Sequence, residues 1–229
     1  MLLTLFCKSL AYFQNLCNRT KDQVSSDDVA TENIDLALHS TNHILELSSR
    51  IQSKLDVMSL KESEFWLSDS IDSAINLLQP YLSEVNITKQ CEIDVKIHGD
   101  PVHLQETFLN IIKNAIEAME KQGAILIKLY NTPKKIYIDF IDTGKGIEKD
   151  KVFLVLNPFY STKKNTKGNY GLGLSYCYNV MQKHNGDIVI KSKINQGTTI
   201  TLSLPSKRIL EIQQSNINNK LERIHYEQN

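Results

Sequence analysis

Amide and carboxyl side chains recur along one face of a segment that begins at Pro101. Each residue of an α-helix advances by about 100°, so Glu106, Asn110 and Asn114 fall on one side of a helix there. Apolar residues occupy the opposite side, namely Leu104, Phe108, Ile111, Ile112, Ala115 and Met119. An amide oxygen such as that of Asn110 can coordinate Mg²⁺, since magnesium in phosphate sites keeps several waters and few protein ligands. Amides that merely face solvent give the same pattern, so this helix alone decides nothing.

A second pattern, Asp-x-Gly-x-Gly, starts at Asp142 and ends before Ile147. Gly144 and Gly146 allow the backbone to approach a planar ligand closely, because they carry no side chain. A buried carboxylate at Asp142 can accept a hydrogen bond from the exocyclic amine of adenine, which selects adenine over guanine. Such a bond to a charged group contributes about 1.5–3 kcal/mol, or roughly ten- to hundredfold in affinity. On its own the pattern is also a common turn.

The third pattern is Gly171-Leu172-Gly173-Leu174, which opens a predicted helix. Free N–H groups at a helix start bind phosphate without help from basic side chains. This segment therefore predicts a phosphate site.

Residues 157–168 precede that helix and are rich in lysine. They include Phe159, Thr162 and Lys163. A basic segment in this position is typical of a lid that orders over a triphosphate. A solvated charged loop is the alternative.

These patterns lie where predicted helices and strands alternate. Helices are predicted from Ser68 as N-cap, from Pro101, and over about 171–184. Strands are predicted over 92–97, 124–130, 136–141, 187–191 and 198–204. Sequential hairpins with helices between them favour an α/β domain with a mixed, mostly antiparallel sheet and helices on one face. The predicted domain spans 61–205, and a polar tail follows over 206–229.

Apolar residues in steps of three and four precede this domain. One stripe runs over Leu3, Phe6, Leu10, Phe13 and Cys17, and another over Ile44, Leu47, Ile51, Leu55 and Met58. Such stripes are typical of helices that pack on other helices, so residues 1–60 are predicted to form a helical hairpin. A two-helix hairpin buries little surface alone, which favours a homodimer with a four-helix bundle. The alternative is a hairpin folded onto its own domain.

Composition narrows the class of protein. The 229 residues carry 26 basic and 26 acidic side chains, and zero net charge without a long basic block argues against nucleic acid as partner. The 4 cysteines lack Cys-x-x-Cys spacing, so neither zinc nor a disulfide framework is indicated, and a cytoplasmic location is expected. The apolar run over residues 1–6 lacks a basic leader and is shorter than the roughly 20 residues that cross a bilayer. No secretion signal or membrane segment is therefore expected in this chain.

Taken in order, the motifs resemble those of a known family. Asn110-x-x-x-Asn114-Ala115, Asp142-x-Gly144-x-Gly146, Pro158-Phe159, Gly171-x-Gly173 and Gly197-Thr198-Thr199 are similar to the motifs in the ATP-binding domain of bacterial sensor histidine kinases. Gyrase, mismatch-repair ATPases and Hsp90 chaperones belong to the same superfamily. The resemblance covers about residues 61–205 and implies a two-layer Bergerat-type α/β sandwich that binds ATP and Mg²⁺.

The resemblance also implies roles for single residues. It places Asn110 at the metal, Asn114 near the phosphates and Asp142 at adenine. Lys163 is expected near the γ-phosphate as a catalytic residue. Further nucleotide contacts are expected from Gly144, Gly146, Ile147, Phe159, Thr162, Gly171, Leu172, Gly173 and Thr198.

Residues 1–60 resemble the dimerisation hairpin of the same kinases. In that family the phosphoacceptor histidine is followed by an acidic residue, a basic residue, Asn-Pro and Leu, and only the trailing Leu-Thr fits Leu3-Thr4. His39 and His43 lack the accompanying residues and are expected to be surface residues. The leading interpretation is the catalytic portion of a two-component histidine kinase, which transfers the γ-phosphoryl group of ATP to a histidine on another chain. Its partner is then a complete histidine kinase or a response regulator, and self-phosphorylation is expected to be weak or absent.

Two other functions remain open at this point. In an ATP hydrolase of the superfamily, a catalytic glutamate is expected at the position of Asn110, and an amide cannot accept a proton from water at neutral pH. Glu106, one helical turn earlier, is the candidate general base for hydrolysis. The other function is a non-enzymatic module that binds nucleotide, dimerises and regulates a complete kinase.

Overall fold

The computed structural model describes residues 12–13, 15–21, 31–41, 44, 60–82, 84–120, 122–161 and 171–214. The chain forms two compact units, Met1–Met58 and Ser59–Asn229. In the first unit residues 15–21 and 31–41 are helical, so a helical segment precedes the α/β domain as predicted, and its pairing as a hairpin stays a prediction. Leu3, Phe6, Leu10, His43 and the second stripe beyond Ile44 lie outside the described residues. Over the described ranges, no helix is both long and apolar enough to span a membrane.

The second unit contains three α-helices and eight strands within its described residues. The helices are α1 (Leu67–Leu78), α2 (Pro101–Ala118) and α3 (Gly173–Lys183). The strands are β1 (Ser63–Trp66), β2 (Glu84–Cys91), β3 (Ile93–Gly99), β4 (Gln122–Asn131), β5 (Lys135–Asp142), β6 (Asp187–Lys193), β7 (Gly197–Pro205) and β8 (Ile209–Gln214).

Five of the strands form a mixed sheet in the order β2-β4-β5-β7-β6. Strands β2 and β4 are parallel, and the other neighbours are antiparallel. Alternate residues of the central strands are buried, for example Ile136, Ile138 and Phe140 of β5, as expected for a sheet with one covered face. Helices α2 and α3 pack against this sheet. The predicted two-layer α/β sandwich is therefore confirmed.

The other three strands form a separate antiparallel sheet in the order β1-β3-β8. The predicted strand over 92–97 corresponds to β3, but it lies here and not in the larger sheet. Strand β8 follows Pro205 and pairs with β3, with Ile212 opposite Val95. Paired structure thus continues beyond residue 205, where the sequence placed the end of the domain.

Helix starts are fixed by two aspartates. The side chain of Asp100 accepts the first N–H groups of α2, and Pro101 stands at the first position, where no N–H is needed. Helix α1 begins at Leu67, so Ser68 lies inside its first turn and is not the predicted N-cap. Asp94 of β3 instead accepts hydrogen bonds from the N–H and hydroxyl of Ser68.

A buried histidine links the start of α2 to the end of α3. The ring of His184 follows α3 and is 0% exposed. Its Nε2 accepts the N–H of Asp100 at 2.9 Å, and its Nδ1 lies 2.8 Å from the Val180 carbonyl oxygen, to which it donates. Arg208, just before β8, donates to the carbonyl of His184 and to the carboxylate of Glu62. Burial lowers the pKa of His184, as expected for a neutral ring with one donor and one acceptor nitrogen.

The stability of this unit is expected to depend on the protonation of His184. Folding lowers the pKa of this ring below its ordinary value of 6.5, so in that range the unfolded chain binds more protons. The stabilising contribution is complete above pH 6.5 and is lost as the pH falls toward the folded-state pKa. Urea unfolding followed by the fluorescence of Trp66, the single tryptophan, measures this loss.

The matched variants are His184→Gln and His39→Gln. His184→Gln removes the titrating ring, so its urea midpoint should change less with pH than that of the parent. His39 is exposed in the first unit, so His39→Gln should keep the parent profile. A His184→Gln profile parallel to the parent would contradict the assignment.

Candidate functional site

Asp142 ends β5, the middle strand of the five-stranded sheet. The residue is only 8% exposed. Its Oδ1 accepts hydrogen bonds from the N–H of Gly144 at 2.8 Å and from the N–H of Thr198 at 3.1 Å. Among the described residues no donor reaches Oδ2, so this oxygen is available to a ligand. Burial raises the pKa of the Asp142 carboxyl, and the two backbone hydrogen bonds oppose that shift.

Glycines allow the backbone to close around this carboxylate. A Cβ added at Gly197, where φ is +87°, would lie 1.9 Å from the carbonyl oxygen of Asp142. One added at Gly146, where φ is +71°, would lie 2.1 Å from the carbonyl oxygen of Lys193. At Gly144 the nearest atoms, at 2.9 Å, include the Asp142 carboxylate itself. Gly197 and Gly146 are therefore required by the protein's own backbone, whatever ligand approaches them.

A serine fixes the loop that follows β5. Ser192 Oγ accepts the N–H of Ile147 at 2.8 Å, donates to the Gly197 carbonyl at 2.9 Å and lies 2.9 Å from Thr198 Oγ1. The loop is thereby tied to the β6–β7 hairpin. The sequence analysis missed Ser192, although the hairpin register, which sets Ser192 opposite Thr198, is a signal that can identify it.

The polar face of α2 has a defined orientation. The Nδ2 of Asn110 donates to the carbonyl of Glu106 at 2.9 Å, which turns Oδ1 away from its own helix. A Cβ added at Gly173 would lie 3.5 Å from that Oδ1, so the oxygen lies beside the first residue of α3. Asn114 follows one turn later and is half-buried. Within the described ranges no group of three or more His, Cys, Asp or Glu side chains could hold a metal alone.

Helix α3 begins without a side-chain cap. Its first backbone hydrogen bond runs from the N–H of Tyr176 to the Leu172 carbonyl, so the N–H groups just before it point out of the helix start. Gly171 has φ +67°, and its carbonyl accepts the N–H of Phe159 at 3.0 Å. The Phe159 ring is 64% exposed. This end of α3 can receive an anion through backbone donors.

The predicted site residues other than Glu106, Asn114 and Phe159 fall into three groups. The first group lies at the end of β5 and comprises Asp142, Gly144, Gly146, Ile147 and Thr198. The second group lies where α2 meets the start of α3 and comprises Asn110, Gly171, Leu172 and Gly173. Thr162 and Lys163 lie outside the described residues, so their roles stay predictions. The sequence analysis missed Tyr176 of α3, whose hydroxyl donates to the carboxylate of Glu106 at 3.2 Å.

Comparisons with known proteins define the family. Residues 99–208 match the family described as histidine kinase-, DNA gyrase B-, and HSP90-like ATPase. Sporulation kinase C of Bacillus subtilis strain 168 is 40% identical over 111 residues, 48% of this chain and 25% of that protein. Sensor histidine kinase ZraS of Escherichia coli strain K12 is 34% identical over 110 residues, 48% of this chain and 23% of that protein. The chain thus spans about a quarter of the length of these relatives.

Solved structures agree with this match. The nucleotide-free catalytic domain of histidine kinase ThkA is 25% identical with a TM-score of 0.58, over 64% of this chain and 96% of that chain. Full-length ShkA in complex with AMPPNP has a TM-score of 0.62 over 91% of this chain and 46% of that chain. At 15% identity the second likeness concerns the fold alone.

The fold and the family match together make the second unit an ATP-binding domain of this ATPase family. The relatives of this region are named as kinases, one of them a sensor histidine kinase, and residues 99–208 are similar to the catalytic part of such proteins. The predicted family is confirmed. These relatives do not favour a free-standing hydrolase or a module without kinase activity.

Substitution of Gly197 tests the packing around Asp142. Gly197→Ala is expected to lower the free energy of unfolding by at least about 2 kcal/mol, because its Cβ would overlap the Asp142 carbonyl at a positive φ. Gly173→Ala is the control, since its Cβ meets only an ordinary contact at 3.5 Å and a helical alanine is favourable by up to about 1 kcal/mol. Urea unfolding measures both. Equal stability of the two variants would contradict the described geometry.

Proposed function

We propose that this chain binds Mg·ATP in the second unit and transfers the γ-phosphoryl group to a histidine of another chain. The observation that carries the proposal is that the two carboxylate oxygens of Asp142 have different partners. Its Oδ1 is held by two backbone N–H groups, while Oδ2 remains for the exocyclic amine of adenine. The family match and the kinase relatives support the same assignment.

The phosphates are proposed to lie at the start of α3. Phosphoryl transfer depends on positioning and on neutralisation of charge more than on covalent chemistry of the protein. The backbone N–H groups before Tyr176 supply fixed positive dipoles there. We assign Lys163 to the γ-phosphate and Thr162 to the same lid, as the motif order implies.

The side-chain oxygen of Asn110 is the proposed protein ligand of Mg²⁺. The amide is locked by its bond to the Glu106 carbonyl, so its oxygen is the atom turned toward α3. Among the residues that the structure describes, the site offers this amide oxygen and no group of three or more carboxylates, which fits a cation held mainly by phosphates and water. When bound, Mg²⁺ would neutralise the phosphate charge that builds up during transfer.

The first unit is proposed to dimerise. Tyr12, Phe13, Leu16 and Leu36 lie in its helical residues and are each at least 46% exposed in the single chain. Apolar exposure on this scale is typical of an interaction surface. A second copy of the chain is the proposed partner there, and a response regulator or complete histidine kinase is the proposed partner in signalling.

Asp142→Asn is expected to weaken ATP binding about ten- to hundredfold and to leave the fold intact. Asparagine keeps an acceptor for Gly144 and Thr198 but presents an amide donor where the carboxylate accepted. That donor opposes the exocyclic amine of adenine. Calorimetric titration with ATP in the presence of Mg²⁺ measures the loss, and the parent should bind GTP far more weakly than ATP.

Asp139→Asn is the matched control. Asp139 lies on the same strand, on the opposite face of the sheet, where it binds Thr201 and Tyr130. Its replacement should leave ATP affinity unchanged. Equal heats for ATP and GTP, with Asp142→Asn indistinguishable from the parent, would falsify the proposed nucleotide site.

The acceptor of the phosphoryl group can be tested directly. Incubated alone with γ-labelled ATP, this chain should gain no acid-labile label, because it lacks the acceptor motif. With a second chain that carries the family's acceptor histidine, acid-labile label should form on that second chain. Acid-labile label on this chain alone would refute the assignment, and its loss in a His39→Gln, His43→Gln double variant would identify the acceptor.

A further inference from the structure

Helices α2 and α3 cross in an antiparallel register. His103 and Glu106 of α2 contact Tyr176 of α3, and one turn further along α2 Asn110 lies beside Gly173, one turn back along α3. The same crossing therefore sets the distance between the Asn110 oxygen and the start of α3. Both belong to the proposed phosphate end of the site.

The hydroxyl of Tyr176 is held from two sides at this crossing. It donates to Oε2 of Glu106 at 3.2 Å, and an ionised carboxylate can only accept. Its oxygen then accepts from Nδ1 of His103, 2.8 Å away, which fixes the ring tautomer with a proton on Nδ1. Burial, together with the Glu106 charge, raises the pKa of the Tyr176 phenol, so the hydroxyl stays a donor at neutral pH. The residue is 1% exposed, so water does not compete for these bonds.

We infer that Tyr176 is a positioning residue, whose hydroxyl holds the phosphate-binding start of α3 opposite Asn110 by bonding Glu106. The inference rests on the proposed function and deepens it. Residues one helical turn apart move together, so a shift of Tyr176 relative to Glu106 shifts Gly173 relative to Asn110. Glu106, which the sequence analysis offered as a general base for hydrolysis, acquires a positioning role instead.

Packing alone does not account for the hydroxyl. A phenylalanine ring can fill the same buried volume, so the ring of Tyr176 contributes apolar burial and its hydroxyl contributes direction. A directed hydrogen bond to a charged group resists sliding of one helix along another. Dispersion contacts between apolar side chains resist such sliding only weakly. The hydroxyl is thus the part of Tyr176 that a test has to remove.

Tyr176→Phe removes only this hydroxyl. Its dissociation constant for Mg·ATP is expected to rise about tenfold, because the phosphate-binding N–H groups lose their fixed place. Its affinity for adenosine should equal that of the parent, because adenosine reaches Asp142 and carries no phosphate. A merely structural loss would lower both affinities together. Tyr178→Phe, at an exposed position of the same helix, should match the parent for both ligands.

Glu106→Ala breaks the same hydrogen bond from the other helix and should give a similar loss of Mg·ATP affinity. In the Glu106→Ala background, Tyr176→Phe should cause no further loss, since the hydroxyl then has no carboxylate to hold. This variant also answers the question if Tyr176→Phe does not fold. Far-UV circular dichroism and urea midpoints verify folding of each variant.

Three results would overturn the inference while leaving the nucleotide site intact. They are parental Mg·ATP affinity in Tyr176→Phe, equal losses for Mg·ATP and adenosine, and an undiminished Tyr176→Phe effect in the Glu106→Ala background. A parent chain that binds neither ATP nor adenosine would overturn the proposed function, and this inference with it.

Discussion

The burial of one carboxylate at the end of β5 is the constraint on which the rest of the site depends. Burial raises the pKa of the Asp142 carboxyl above its ordinary value of 3.8, so the folded state binds the proton of this carboxyl more tightly than the unfolded chain does. Ionisation therefore opposes folding as the pH rises above that value, and the cost is fully present once the pH exceeds the folded-state pKa. The N–H groups of Gly144 and Thr198 offset part of this cost. The N–H of Thr198 reaches the carboxylate because Gly197 lets β7 pass close to Asp142.

A second buried aspartate, Asp100, provides a comparison for Asp142. Asp100 is 3% exposed, and its two oxygens accept N–H groups from Lys61, Val102 and His103. Both carboxylate oxygens of Asp100 therefore bond within the protein: one caps the start of α2, and the other holds Lys61 just before strand β1. Asp142 differs in that one oxygen carries both protein bonds. A buried charge that is only half used by the fold is typical of a residue kept for a ligand.

Local patterns determined how much could be predicted. Strands β4 to β7 alternate strongly around close turns, and the motif residues of the site act within a few positions of one another, so both could be read from the sequence. Strand β2 was missed because only two of its residues, Val85 and Ile87, are buried, and because it pairs in parallel with β4, which comes much later in the chain. Strand β8 was missed because its partner β3 lies more than a hundred residues away. Ser192 could be identified only from the register of the β6–β7 hairpin. Tyr176 carries no local signal, since its role exists only once the two helices have packed.

The two ends of the proposed site are held in place by different kinds of contact, and this bears on the function proposed for the chain. The base end rests on a sheet, where Asp142 is fixed by strands on either side and cannot move without breaking the ladder between β5 and β7. The phosphate end rests on one helix crossing, where Asn110 and the start of α3 are related through side chains. Helices can slide on one another by small steps at lower cost than a sheet can change register. The proposed contact with adenine can therefore stay constant while the geometry at the proposed phosphate end is adjusted, a separation that would suit the phosphoryl transfer proposed for this chain.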